Sequence, residues 1–64
     1  MKNELKLVRI GTDPDAKRVY LYNGNYINVD RFNDILDSWY YMCYDVKKYD
    51  MHRGNQHIFV WYVK

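Results

Sequence analysis

Cys43, Asp50, His52 and His57, within one stretch of the chain, are of the types that bind transition metals or move protons. A thiolate, a carboxylate and two imidazoles are ligands that zinc accepts, and an imidazole is the usual general acid or base near neutral pH. Their spacing along the chain matches no usual zinc pattern, and Cys43 falls on an apolar stripe, which marks it as a small core residue rather than a nucleophile. His57 stands at the start of a strand pattern and reads as an ordinary exposed histidine. There is no phosphate-cradling glycine loop and no Ser, His and Asp arrangement, and the glycine of Asn23-Gly24-Asn25 belongs to a turn. The expectation is therefore a protein without a catalytic residue, a metal or a cofactor.

Binding chemistry is better represented. Aromatic residues make up 19% of the chain, and eight of them are Tyr, which joins an apolar ring to a polar tip and is favoured where a surface becomes an interface. Tyr20 and Tyr22 alternate with Val19 and Leu21, while Phe59 and Trp61 alternate with Ile58, Val60 and Tyr62. If the aliphatic sets face a helix, then Tyr20, Tyr22, Phe59 and Trp61 gather on the uncovered side of a sheet. A second candidate surface is acidic, with Asp30, Asp34 and Asp37 beside Phe32 on a helical segment.

The elements that must position these groups follow from periodicity. LKLVRI, from Leu5 to Ile10, is branched and apolar on both phases, which calls for a bulge or for cover on both faces. GTDPDAK is a turn built on Asp13, Pro14 and Asp15. Arg18 to Tyr22 is the second strand. Asn23-Gly24 forms a tight hairpin, after which Asn25 to Asn28 returns as a short strand. Val29, Phe32, Ile35, Leu36, Trp39, Cys43 and Val46 then recur at helical spacing, so a helix is predicted over Ile27 to Lys48. Asn28 is its cap, Ile27 and Phe32 have the spacing of a hydrophobic staple, and Lys47 and Lys48 suit its negative end. The strand-favouring run from Trp39 to Tyr44 leaves one alternative, in which the helix stops near Ser38 and a further strand pairs with the last one across MHRGNQ. His57 to Lys64 is the clearest strand. The fold class is α+β: one domain over 1–64, a small antiparallel sheet of three to four strands, and one helix on one face in the order β-β-α-β.

At 64 residues such a domain buries only about 60% of its unfolded surface, so oligomerisation or a partner is expected to add stability. The single cysteine excludes an internal disulfide, and no apolar run is long enough for a signal peptide or a membrane span, so a cytoplasmic protein is expected. A net charge of +2 is too slight to predict a polyanionic partner.

Two family resemblances add to this reading. The order of elements from Leu5 to Asp37, with Tyr20 and Tyr22 on a strand and Asp30 and Phe32 at a helix start, resembles the small uracil-DNA glycosylase inhibitors of Bacillus phages. That resemblance implies a dimer that occupies the DNA-binding cleft of a host enzyme, with Phe32 near the contact surface. The family is acidic, whereas this chain is slightly basic and has one Glu; only the helix retains the acidity. Arg53, Gly54, His57 and Phe59 in RGNQHIF resemble the glycine-then-histidine strand of HicA-type toxins, which cleave messenger RNA, with two residues between Gly and His where the family has another spacing. That implies His57 as an acid or base. The combined expectation is a small non-enzymatic inhibitor of a host or defence protein, phage or mobile-element encoded and homodimeric, binding through Tyr20, Tyr22, Phe59, Trp61, Asp30, Phe32, Asp34 and Asp37. The alternatives are a single-stranded nucleic-acid binder on the aromatic face and a HicA-like toxin.

Overall fold

The computed structural model describes residues 3–11 and 16–64. The expected turn residues Asp13, Pro14 and Asp15 lie outside the described residues. The elements are β1 (Asn3–Ile10), β2 (Lys17–Tyr22), β3 (Asn25–Ile27), α1 (Val29–Tyr41), β4 (Lys47–Arg53) and β5 (Gln56–Val63). They form an α+β domain with one antiparallel sheet in the order β3-β2-β1-β5-β4. The sheet has five strands where three to four were expected, and the added one is β4.

β1 is the central strand, which explains its apolar character on both phases. It runs in unbroken register against β2, from Leu5 opposite Tyr22 to Ile10 opposite Lys17, and against β5, from Asn3 opposite Val63 to Ile10 opposite Gln56. Neither sequence option is met in full, since the register has no bulge and the helix covers only one face of the strand. Asn23 and Gly24 both adopt positive φ, 50° and 86°, as a type I′ hairpin requires. Asn23 also ties this hairpin to β1, because its N–H donates to Glu4 O at 2.9 Å and its Oδ1 accepts from Glu4 N at 2.8 Å.

The start of α1 agrees with the sequence reading. Asn28 is extended, and its side-chain oxygen accepts from Arg31 N at 2.7 Å, a capping bond to the third helical residue. Ile27, just before the cap, packs against the cluster that contains Phe32, as a staple should. The end of α1 requires a correction, since the helix stops at Tyr41 and not at Lys48. Met42 caps it, and Cys43 turns into the left-handed region with φ 62°. Cys43 N donates to Tyr40 O at 3.1 Å, and Tyr44 N donates to Trp39 O at 3.0 Å. These two bonds make a Schellman motif, with a cysteine in the position usually held by glycine. Cys43 is exposed and is not the core residue its place on the stripe suggested. Lys47 and Lys48 open β4, which pairs with β5 through seven rungs, from Lys47 opposite Tyr62 to Arg53 opposite Gln56. The alternative of a further strand paired with the last one holds in part: the run Trp39 to Tyr44 ends the helix and forms no strand, and the strand starts later, at Lys47, and takes in Met51, His52 and Arg53.

The two faces of the sheet are the reverse of those expected. Side chains directly opposite one another in an antiparallel sheet share a face, and the faces alternate along each strand. Leu5 stands opposite both Tyr22 and Trp61, and Leu7 opposite both Tyr20 and Phe59, so these residues share one face. That face carries the core of Leu5, Phe32, Trp39 and Val63, with Leu7, Tyr20, Tyr22, Ile27, Ile35, Leu36, Val46 and Trp61 packed against it. The aromatic residues therefore lie beneath the helix, and the aliphatic residues Val8, Val19, Leu21, Ile58 and Val60 point away from it. The reason is ring geometry. Phe32 projects from the first turn of α1 and meets Tyr20 edge-on at 5.1 Å and Trp61 edge-on at 5.5 Å, contacts worth about 0.5–1.5 kcal/mol beyond area burial.

Candidate functional site at the open end of the helix-side face

The helix packs over β2 and the Trp61–Val63 end of β5, and the same face continues exposed over β4. Three side chains with titratable or metal-binding atoms meet there. Asp50 and His52 are two apart on β4 and point the same way, and the β4–β5 register places His57 directly opposite His52. The two imidazoles stack with centroids 3.9 Å apart and planes inclined by 29°. His57 Nε2 donates to Asp50 Oδ2 at 2.7 Å, with the His57 side chain about a quarter exposed and that of Asp50 about half. This hydrogen bond is the main reason the Asp50 carboxyl is held below the ordinary carboxylate range.

Rings continue from this cluster along β5. His57 lies 4.1 Å from Phe59, and Phe59 lies 6.2 Å from Trp61, nearly parallel to it at 25°. Lys48, Asp50, Phe59 and Trp61 line a shallow groove of about 470 Å³ along the β4–β5 pair. The register also places Arg9 opposite His57, and Arg18 opposite Arg9, on this face. The arrangement joins a carboxylate–imidazole pair, a second imidazole, two arginines and a row of rings.

The residues expected to bind are redistributed. Phe32, at 4% exposure, belongs to the core and not to a contact surface. Tyr20, Tyr22 and Trp61 pack against that core, and of the four-ring set Phe59 stands apart from it, in the row with His57 and Trp61. Asp30, Asp34 and Asp37 are exposed on α1. Their spacing of four and three residues sets them along one side of the helix.

The linear spacing of Asp50, His52 and His57 matches no ligand motif carried on loops and helices, so spacing alone does not mark them as a cluster. The available signal was the strand alternative itself. A two-residue turn at Gly54-Asn55, with Gly54 at φ 60°, reflects His52 onto His57 and keeps Asp50 on the same face. Chemically, the stacked imidazoles leave no space between them for a phosphodiester to sit, as acid and base acting from opposite sides of a phosphate would need. Comparisons with protein-family models, with curated proteins and with solved structures give no match.

Proposed function

We propose that this chain is a small non-enzymatic interaction protein that pairs with a second copy through the sheet face away from the helix and presents the acidic side of α1 to a protein target. The observation that carries this reading is the aliphatic face. Val8, Ile10, Val19, Leu21, Ile58 and Tyr62, each half-buried, share it by register around the buried Val60 and the Lys6–Glu4 ion pair of β1, with Tyr49 and Met51 of β4 beside them and 45% and 40% exposed. Among the described residues, no second layer covers it. A sheet face this rich in aliphatic side chains is seldom left uncovered in a monomer, and two-fold pairing of identical faces is the commonest way to cover it. Asp30, Asp34 and Asp37 would then remain free on the outside, where a row of carboxylates steers a basic partner surface. This is the arrangement of a small inhibitor that works by occupying a site on its target.

Sedimentation velocity tests the pairing. The wild type sediments as a dimer at tens of micromolar, and Ile58→Lys, in the middle of the aliphatic face, sediments as a folded monomer. A monomeric wild type at that concentration overturns the proposal. The target surface is tested by affinity capture with wild type and with a triple variant of Asp30, Asp34 and Asp37 to Asn. A protein held by the wild type and released by the triple variant supports the acidic helix side as the contact. Equal retention by both removes it.

A second reading is favoured by one observation, the ring row of His57, Phe59 and Trp61 with Lys48, Arg9 and Arg18 on the same face. Rings in a row beside cations suit single-stranded nucleic acid, with bases stacked at about 1–3 kcal/mol each. Titrating the tryptophan fluorescence with single-stranded oligonucleotides at two salt concentrations decides it. Salt-sensitive quenching that Phe59→Ala abolishes supports the platform, and no quenching at low salt removes it.

A further inference from the structure

We propose that Asp50, His52 and His57 form a binding site for a divalent transition ion of the zinc type, which clips the edge strand β4 to β5. One ligand atom from each residue lies within 4.8 Å of the other two. Four-coordinate zinc, with N and O ligands at about 2.0–2.2 Å, needs donors about 3.3 Å apart. His52 and Asp50 are exposed side chains on an edge strand, so small rotations about their terminal side-chain bonds close that difference without moving the backbone. His57 and Asp50 are already in contact at 2.7 Å and separate slightly to admit the ion between them.

The donor set selects the ion. Two imidazoles and one carboxylate are borderline ligands suited to zinc, cobalt or nickel, whereas calcium and magnesium call for oxygen donors only. Three protein ligands leave the fourth position open to solvent. It opens beside the groove lined by Lys48, Phe59 and Trp61. Arg9 stands on the β1 side of His57, with Asp50 and His52 on the β4 side. Such a clip acts where this fold has least support. All seven residues of β4 are exposed, and a small core gains most from an added cross-link.

Isothermal titration of the untagged full chain with zinc chloride, together with the visible ligand-field spectrum of the cobalt-loaded protein, tests the site. One ion binds per chain, and zinc raises the thermal unfolding temperature in a way that a chelator reverses. His52→Ala, which removes an exposed side chain, and Asp50→Asn each weaken binding roughly tenfold or more while the circular dichroism spectrum is kept. Cys43→Ser binds as the wild type does. Absence of heat and of a cobalt spectrum at tens of micromolar protein overturns the proposal, as does wild-type affinity in His52→Ala or loss of binding in Cys43→Ser.

Discussion

Cys43 holds the left-handed position that ends the helix, at φ 62°, and a side chain with a Cβ is disfavoured there by about 1–2 kcal/mol. Cys43→Gly is expected to stabilise the protein by about 1 kcal/mol in urea unfolding, with no change in helix length. A loss of stability would show that the exposed thiol makes a contact that outweighs the backbone strain. At the other end of the helix, Asn28→Ala removes the acceptor for Arg31 N and should cost about 1 kcal/mol by the same measurement. These two caps differ in legibility. Asn28 was readable because its residue type is the one capping chemistry demands, ahead of an apolar period. Cys43 was not, since nothing about cysteine announces a left-handed turn, and its place on the stripe pointed to burial.

At the scale of elements, the deciding competition was for the segment after Tyr41. Its apolar residues suit a helical stripe and its residue types suit a strand, so local signals conflict. Seven rungs of pairing with β5 settle it in favour of a strand, because pairing satisfies a long run of backbone groups that a solvent-exposed helix end leaves to water. Val46 still reaches the core, from a connecting segment and not from a helix. The hairpin turn makes this testable. Gly54→Ala places a Cβ at φ 60° and is expected to lower stability by about 1 kcal/mol, whereas a helix reaching into this region would be indifferent to it or favour it. On α1, Phe32→Ala removes the ring that Tyr20 and Trp61 meet and should cost about 3–5 kcal/mol. In a domain of this size that is enough to abolish a cooperative thermal transition.

The whole molecule is governed by which side of the sheet the helix covers. Alternation showed that each strand has one aromatic and one aliphatic phase, yet either phase is compatible with a core. A direct check compares two neighbouring positions. Tyr20→Ala should destabilise by about 3 kcal/mol, since the ring is packed against Phe32, while Leu21→Ser on the opposite face should cost clearly less at concentrations where the protein is monomeric. The reverse order in equilibrium unfolding would mean that the faces are exchanged. The same assignment moves the proposed docking surface from aromatic to aliphatic residues and leaves the row of His57, Phe59 and Trp61 beside β4.

The sequence by itself determined the α+β class, the strand from Leu5 with two apolar phases, the Asn23-Gly24 hairpin, the capped start of the helix at Asn28 and the exposed acidic side of α1. Each rests on a local rule, in which a residue type or a short period dictates its own backbone conformation. Only the tertiary structure decided where the helix ends, which phase of the sheet it covers, and that Asp50, His52 and His57 meet. Those outcomes depend on contacts between segments distant in the chain: β4 against β5, and Phe32 against Tyr20 and Trp61. Periodicity reports that a face exists, but the partner that covers it is chosen by shape and register across the sheet.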